Sequence, residues 1–168
     1  GRTVHSLSKL LSLFEDLRVS LISPEALCMP EAVVEALREA GHEVLETDVL
    51  ETGIADVDIV YSTRIQEERF ASPEEADLYR GRFRLTQSVY TANCEPNTGI
   101  MHPLPRDSRE GARELDIDLN DNPNLAIFRQ SDNGVLVRMA LFALILDVVD
   151  EVDNHAKPVT WFTAKRHG

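Results

Sequence analysis

Short apolar runs alternate with amphipathic stretches along most of this chain, and each run is closed by a glycine, a proline or a polar cluster. Apolar residues between positions 7 and 14 recur at helical spacing, which predicts a helix that starts almost at the first residue. Short apolar runs predict strands at residues 17–22, 42–45, 57–61, 98–101 and 125–128. Helical spacing predicts helices or helical turns at residues 30–40, 48–55, 85–92 and 135–152.

This alternation predicts an α/β fold with three layers, in which a mostly parallel sheet carries helices on both faces, as in Rossmann-like proteins. The start, Gly1-Arg2-Thr3, is typical of a turn between a strand and the helix that follows it. No strand precedes it, so we expect the sheet to lack one strand before Gly1 and the sequence to be a fragment of something longer. Residues 65–82 are highly charged and predict a mobile surface loop followed by a short helix.

The chain has 168 residues, enough for one domain. We assign residues 1–152 to that domain and residues 153–168 to a tail, in which Trp161 and Phe162 either cap the domain or begin a linker. The net charge of −12 argues against nucleic acid and anionic membranes as partners.

The longest apolar stretch, residues 135–149, contains Arg138 and Asp147, which predicts a packed helix rather than a membrane span. No signal peptide is recognised. Cys28 and Cys94 lack metal or redox spacing, which favours reduced thiols in a cytoplasmic protein and leaves a single disulfide open.

Ligands of open parallel sheets bind outside the carboxyl ends of the strands. Three polar segments are predicted there, and they begin at Arg2, Thr63 and His102. Two separate arginines, Arg2 and Arg64, suit the two ends of a dicarboxylate, because a guanidinium matches a carboxylate.

Gln66 can present an amide oxygen to an ammonium group, and Glu68 lies four residues after Arg64, where it can orient the guanidinium. The alternative is that this segment is a solvated charged loop.

Met101-His102-Pro103-Leu104-Pro105-Arg106 follows the predicted fourth strand. Its prolines stiffen the backbone and hold carbonyl oxygens where a small N–H-bearing substrate can donate to them, although a plain loop corner is the alternative. His5 and His102 are either general acids or bases or structural hydrogen-bonding groups. The sequence assigns no catalytic residue. It also suggests no metal site and, without a nucleotide fingerprint, no cofactor.

Taken together, these motifs resemble the family of aspartate carbamoyltransferase catalytic chains. The resemblance rests on Gly1-Arg2-Thr3-Val4-His5-Ser6-Leu7, Thr63-Arg64-Ile65-Gln66-Glu67-Glu68-Arg69-Phe70, His102-Pro103-Leu104-Pro105-Arg106, Phe128-Arg129-Gln130 and Asn133-Gly134. The related ornithine enzymes carry a cysteine in place of Pro103 and a serine-methionine-glycine loop that is not found here, so the resemblance points to aspartate.

The resemblance implies that Arg2 binds one carboxylate of L-aspartate and Arg64 the other. Gln66 then lies near the amino group, and Glu68 steadies Arg64. The Leu104 carbonyl, with Pro105 beside it, contacts the carbamoyl group of carbamoyl phosphate.

The implied reaction is attack of the aspartate amine on the carbamoyl carbon, which gives N-carbamoyl-L-aspartate and phosphate in de novo pyrimidine biosynthesis. Orientation and charge stabilisation drive it, without a covalent intermediate. Residues 67–82 are implied to move on domain closure.

The family's phosphate-binding Ser-Thr-Arg-Thr-Arg motif and its N-terminal carbamoyl-phosphate domain do not occur in this sequence. The family forms homotrimers in which a neighbouring subunit lends a lysine-bearing loop to the active site. We therefore expect the 168-residue chain alone to be inactive. The alternatives are a non-catalytic module that binds an acidic amino acid and a carbamoyltransferase with a different amino-acid substrate.

Overall fold

Two pairs of parallel strands alternate with helices in the computed structural model, which describes residues 2–109 and 111–158. The predicted α/β class with parallel strands is confirmed. Two units make up the chain, Gly1–Gln130 and Ser131–Gly168, and the strands all belong to the first.

The first pair joins β1 (Arg18–Ile22) to β2 (Glu43–Thr47), with Arg18 opposite Glu43 and Ile22 opposite Thr47. The second pair joins β3 (Ile59–Tyr61) to β4 (Gly99–Met101), with Tyr61 opposite Met101. A parallel pair needs a long crossover connection, and here helices lie within both crossovers.

The helices of the described residues are α1 (Arg2–Leu11), α2 (Glu31–Glu39), α3 (Leu50–Ile54), α4 (Pro73–Tyr79), α5 (Gln87–Asn93), α6 (Ile127–Ile145) and α7 (Val152–His155). Short 3₁₀ helices occupy Glu25–Leu27, Glu67–Arg69, Ile117–Asp121 and Val149–Glu151.

Local sequence explains several helix ends. Gly41 has φ +88° and ends α2, where the N–H groups of Gly41 and His42 donate to the carbonyls of Arg38 and Leu37. The Ser72 hydroxyl caps α4 by accepting from the Glu75 N–H at 3.2 Å, and a proline fills the first position of that helix. Such caps satisfy N–H and C=O groups that the helix leaves unpaired.

The core of the first unit lies around β3 and β4. Its buried members are Leu50, Ile54, Val60, Leu85, Tyr90, Ile100, Leu115, Leu119 and Ile127. Leu85 and Leu115 also form a parallel bridge, in which the Leu85 N–H donates to the Glu114 carbonyl at 2.8 Å. This bridge draws the segment after the proline motif into the core.

The strand predicted at residues 125–128 is wrong beyond one residue. Leu125 makes a single parallel bridge to Ile100, and the chain then enters α6 at Ile127, which is completely buried. A short apolar run does not distinguish a strand from the buried start of a helix, and here the helix prevails.

The last long helix starts and ends earlier than the predicted 135–152. Asn133 and Gly134 lie inside α6 rather than before it, because a single helical glycine costs only about 1 kcal/mol relative to alanine. The helix ends at Ile145, where Asp147 takes φ +56° and the Val148 N–H donates to the Ala143 carbonyl.

The prediction that residues 135–149 form a packed helix is not met in the described residues. Their large apolar side chains are 38% to 75% exposed, from Val148 at the low end to Ile145 at the high end. Apolar residues on every side of this stretch leave no polar face to turn towards water. No described helix is long and apolar enough to cross a membrane.

Gly1, Trp161 and Phe162 lie outside the described residues, as does most of the predicted tail. Both cysteines are free thiols, Cys28 exposed and Cys94 partly buried, so the disulfide left open by the sequence does not form. Burial raises the pKa of the Cys94 thiol.

Candidate functional site

Two of the predicted polar segments leave the same edge of the β3–β4 pair. Tyr61 and Met101 end the two strands side by side, and the Ser62 N–H donates to the Met101 carbonyl at 2.9 Å. The chain continues towards Arg64 from one strand and into the proline motif from the other. The structure therefore brings the Arg64 segment and the proline motif together, as the parallel topology predicts.

Arg64 and Glu68 form an ion pair with an N–O distance of 3.1 Å, and the Arg64 side chain is 41% exposed. The pKa of Glu68 is lowered by its own backbone N–H and further by Arg64. The carboxylate thus holds one edge of the guanidinium and leaves the rest open to solvent or to a ligand.

Three more charged residues, Glu67, Asp107 and Arg109, are joined to each other at the same edge. Together with the Arg64–Glu68 pair they are called the rim cluster. Arg109 binds Glu67 in a bidentate manner, with N–O distances of 2.8 and 3.0 Å. The same guanidinium lies 2.6 Å from the Asp107 carboxylate. These contacts tie the segment after β3 to the segment after the proline motif.

Arg109 holds the pKa of Asp107 at about 2, well below the ordinary value, and Arg64 adds to this lowering. Arg109 also lowers the pKa of Glu67, with a smaller contribution from Arg80. The paired carboxylates in turn raise the pKa of Arg109.

A second polar assembly lies beneath the proline motif and is buried. It consists of His102, Glu114 and Gln130, and we call it the turn network. His102 and Glu114 are 1% and 2% exposed, and the His102 Nε2 lies 2.7 Å from the Glu114 Oε1. The Gln130 Oε1 accepts from the His102 N–H at 3.0 Å.

The His102 ring contacts the turn itself. Its Nδ1 accepts from the Leu104 N–H at 2.8 Å, so this nitrogen carries no proton and Nε2 donates to Glu114. The Glu114 carboxylate also accepts from the Asp107 N–H, at 3.2 and 3.3 Å. One buried carboxylate therefore holds both ends of the turn.

Leu104 has φ +56°, a left-handed conformation that is uncommon for a side chain of this size, and the peptide bond to Pro105 is cis. Among the described residues, no donor reaches the Leu104 carbonyl oxygen. The oxygen is thus fixed by its surroundings yet available as an acceptor.

Other predicted residues are placed differently. Arg106, the last residue of the proline motif, donates to the Asn120 side chain at 2.9 Å. Arg2 is exposed at the start of α1, and within residues 2–109 and 111–158 no hydrogen bond or ion pair joins its side chain to Arg64 or Leu104. The role predicted for Arg2 therefore still rests on its motif.

The sequence analysis singled out none of Glu114, Asp107 and Arg109. Leu115 and Leu119, which are completely buried, were the available signal, since apolar residues at that spacing indicate a segment that packs. No group of three or more His, Cys, Asp or Glu among the described residues is arranged to hold a metal ion.

Known proteins resemble this chain in both sequence and structure. A family model described as the aspartate/ornithine carbamoyltransferase Asp/Orn binding domain matches residues 1–145. The chain is 69% identical over 166 residues to the aspartate carbamoyltransferase catalytic subunit of Cellvibrio japonicus, with 99% of this chain and 49% of that protein covered. It is 68% identical to the catalytic subunit of Saccharophagus degradans, where 98% and 49% are covered.

Solved structures give the same result. The catalytic subunit of M. jannaschii aspartate transcarbamoylase matches with a TM-score of 0.75 and 38% identity, over 88% of this chain and 46% of that one. The Trypanosoma cruzi enzyme in complex with aspartate and phosphate matches with a TM-score of 0.68 and 33% identity, over 84% and 42%. These matches confirm the predicted Rossmann-like fold, and the chain spans about half the length of the relatives it matches.

Proposed function

Because the chain belongs to the aspartate/ornithine carbamoyltransferase family, we propose that it is the aspartate-binding half of an aspartate carbamoyltransferase. The observation that supports this proposal is the shared edge of β3 and β4, from which the segment with the partly exposed Arg64 and the turn with Leu104 both leave. Close relatives named aspartate carbamoyltransferase support aspartate over ornithine.

Arg64 binds one carboxylate of L-aspartate in this proposal, and Arg2 binds the other. Gln66 contacts the amino group, and Glu68 orients Arg64 through the ion pair at 3.1 Å. A guanidinium already held by one carboxylate loses less side-chain freedom when it binds a second one.

The Leu104 carbonyl, beside Pro105, accepts from the carbamoyl amide of carbamoyl phosphate. The aspartate amine then attacks the carbamoyl carbon, a C–N bond forms, and the C–O bond to phosphate breaks. N-carbamoyl-L-aspartate and phosphate are the products, in the pathway of de novo pyrimidine biosynthesis. Holding both substrates close together in the reactive orientation lowers the activation barrier, because the entropy cost of bringing them together is already met on binding.

The complete enzyme supplies the carbamoyl-phosphate half that this chain does not contain, and it works in the cytoplasm as a homotrimer. Residues 1–152 form the aspartate domain, which includes the matched residues 1–145, and residues 153–168 are a tail. The chain alone carries the residues that bind aspartate, but it does not catalyse the reaction.

The test is titration calorimetry on the complete enzyme, with a carbamoyl-phosphate analogue present and L-aspartate or L-ornithine as the titrant. We expect Arg64→Ala to weaken aspartate binding by roughly tenfold or more, because a charge-assisted hydrogen bond contributes about 1.5–3 kcal/mol.

Arg38→Ala is the matched control, since Arg38 is 43% exposed and pairs with Glu35 at 2.9 Å, much as Arg64 pairs with Glu68. It should bind aspartate as the wild type does. Preference for ornithine, or an Arg64→Ala variant that binds like Arg38→Ala, would overturn the proposal.

A further inference from the structure

The proline turn has no regular secondary structure to hold it, yet it carries the carbonyl that the proposed function places against the carbamoyl group. Pro103 and Pro105 have no N–H to donate, so the turn depends on the remaining N–H groups for its hydrogen bonds. The His102, Leu104 and Asp107 N–H groups each donate to a side chain, namely Gln130, His102 and Glu114.

His102 is the central member of this arrangement. It is 1% exposed, one ring nitrogen accepts from Leu104 at 2.8 Å, and the other lies 2.7 Å from Glu114. Both nitrogens are occupied by protein groups in a buried position, which leaves no nitrogen to exchange a proton with a substrate. A general acid or base needs such a nitrogen within reach of the reacting group.

We propose that His102 and Glu114 are positioning residues, which set the direction of the Leu104 carbonyl through the Leu104 N–H. Glu114 accepts the Nε2 proton and so keeps Nδ1 free to accept from Leu104. The acceptor holds Leu104 at φ +56°, a backbone conformation that costs energy for this residue and needs a partner. The carbonyl of the same residue then points in one direction and is ready to accept before the substrate arrives.

This inference rests on the proposed function, since it concerns the carbonyl to which that function assigns the carbamoyl group. The inference requires one particular nitrogen of the His102 ring. Only Nδ1 accepts a hydrogen bond from the turn, whereas Nε2 donates to Glu114. The two nitrogens are therefore separable by substitution, because an Asn side chain places its oxygen near the position of Nδ1 and a Gln side chain places its amide near that of Nε2.

The experiment measures steady-state kinetics of the complete enzyme, with carbamoyl phosphate and L-aspartate varied in turn. We expect His102→Gln to lower kcat/KM for carbamoyl phosphate by about tenfold or more, since the buried Leu104 N–H loses its acceptor. The KM for aspartate should stay within about twofold of the wild type. His102→Asn, which keeps the acceptor, should recover most of the loss.

His42→Gln is the matched control. His42 is also buried, its Nδ1 accepts from the Leu17 N–H at 3.3 Å, and its Nε2 lies 3.1 Å from the Leu11 carbonyl, on contacts that do not involve the turn. It should lower thermal stability without changing either KM. The positioning role is overturned if His102→Gln has the kinetics of His42→Gln, or if His102→Asn is as impaired as His102→Gln.

Nitrogen-15 NMR of the native enzyme gives a test that does not depend on variants that fold. We expect the His102 Nδ1 to show the chemical shift of an unprotonated nitrogen and Nε2 that of an N–H. A protonated Nδ1 would overturn the inference. An inactive wild-type enzyme, by contrast, would refute the proposed function and leave this NMR result standing by itself.

Discussion

The turn network and the rim cluster lie at the same edge of the β3–β4 pair, but they differ in their exposure to solvent. His102 and Glu114 are removed from water, and each polar atom has a protein partner. The Arg64 side chain of the rim cluster is 41% exposed, and the Arg109 side chain 52%. Exposed pairs are screened and contribute little to stability, whereas a buried polar group costs several kcal/mol if its partner is lost.

The proposed function requires different properties of the two assemblies. A carbonyl that must point in one direction benefits from a buried network with a single arrangement. A guanidinium that must meet an incoming carboxylate benefits from exposure, since a fully desolvated and paired arginine would have no donors left. The two assemblies meet at Asp107, whose N–H donates to Glu114 and whose carboxylate binds Arg109.

The largest effect on stability is expected for Glu114→Ala. It leaves the His102 ring N–H and the Asp107 N–H buried without their acceptor, so the free energy of unfolding should fall by about 3 kcal/mol or more. Urea denaturation followed by circular dichroism measures this. Glu39→Ala, an exposed substitution on α2, should change stability by less than about 0.5 kcal/mol, and equal effects of the two would contradict the contrast between buried and exposed groups.

An intermediate effect is expected for Asp116→Asn. The Asp116 side chain is 6% exposed but its partner Arg84 is 40% exposed, with the Arg84 Nε 2.6 Å from the carboxylate. Burial raises the pKa of Asp116, but the Asp118 N–H and Arg84 lower it by more. We expect a loss of about 1 kcal/mol, since the amide oxygen still accepts a hydrogen bond.

The control for Asp116→Asn is Asp56→Asn, in the exposed pair with Arg18, where the two side chains are 76% and 46% exposed. Denaturation of both variants in parallel should show a smaller change for Asp56. A larger loss of stability for Asp56→Asn than for Asp116→Asn would mean that solvent exposure does not determine how much each ion pair contributes.

The smallest effect is expected in the rim cluster and depends on pH. The pKa of Asp107 is about 2 in the folded chain, below the ordinary value of about 3.9. Its stabilising contribution is therefore fully present above pH 4 and is lost as the pH falls through about 2. Asp107→Asn should lack this loss, and acid denaturation curves of the two proteins should differ most between pH 4 and pH 2.

Glu39→Gln is the control, because it removes a charge from an exposed residue outside the rim cluster. It should lose as much stability between pH 4 and pH 2 as the wild type does. Added salt at about 1 M should shrink the effect of Asp107→Asn, because Arg109 is exposed to solvent. An acid profile of Asp107→Asn identical to the wild type would show that Arg109 does not hold this carboxylate in solution.

Much of the fold could be predicted from local pattern. The strands β1 to β4 were placed within one or two residues, and Gly41 and Pro73 ended or began helices for reasons visible in the sequence. The candidate edge was also predictable, since parallel strands bring their carboxyl ends together. The start of α6 was not, because Ile127 is equally acceptable to a strand and to a buried helix start.

The sequence by itself determined where β1 to β4 lie, and that Arg64 and Leu104 each follow the end of one of these strands. Only the tertiary structure decided that Glu114 is buried against His102 and that Arg109 joins Glu67 to Asp107. The physical reason is the distance along the chain over which each effect acts. Backbone preference and apolar periodicity act between residues a few positions apart, whereas the partner of a charged side chain depends on which distant segments pack together and how much water they exclude.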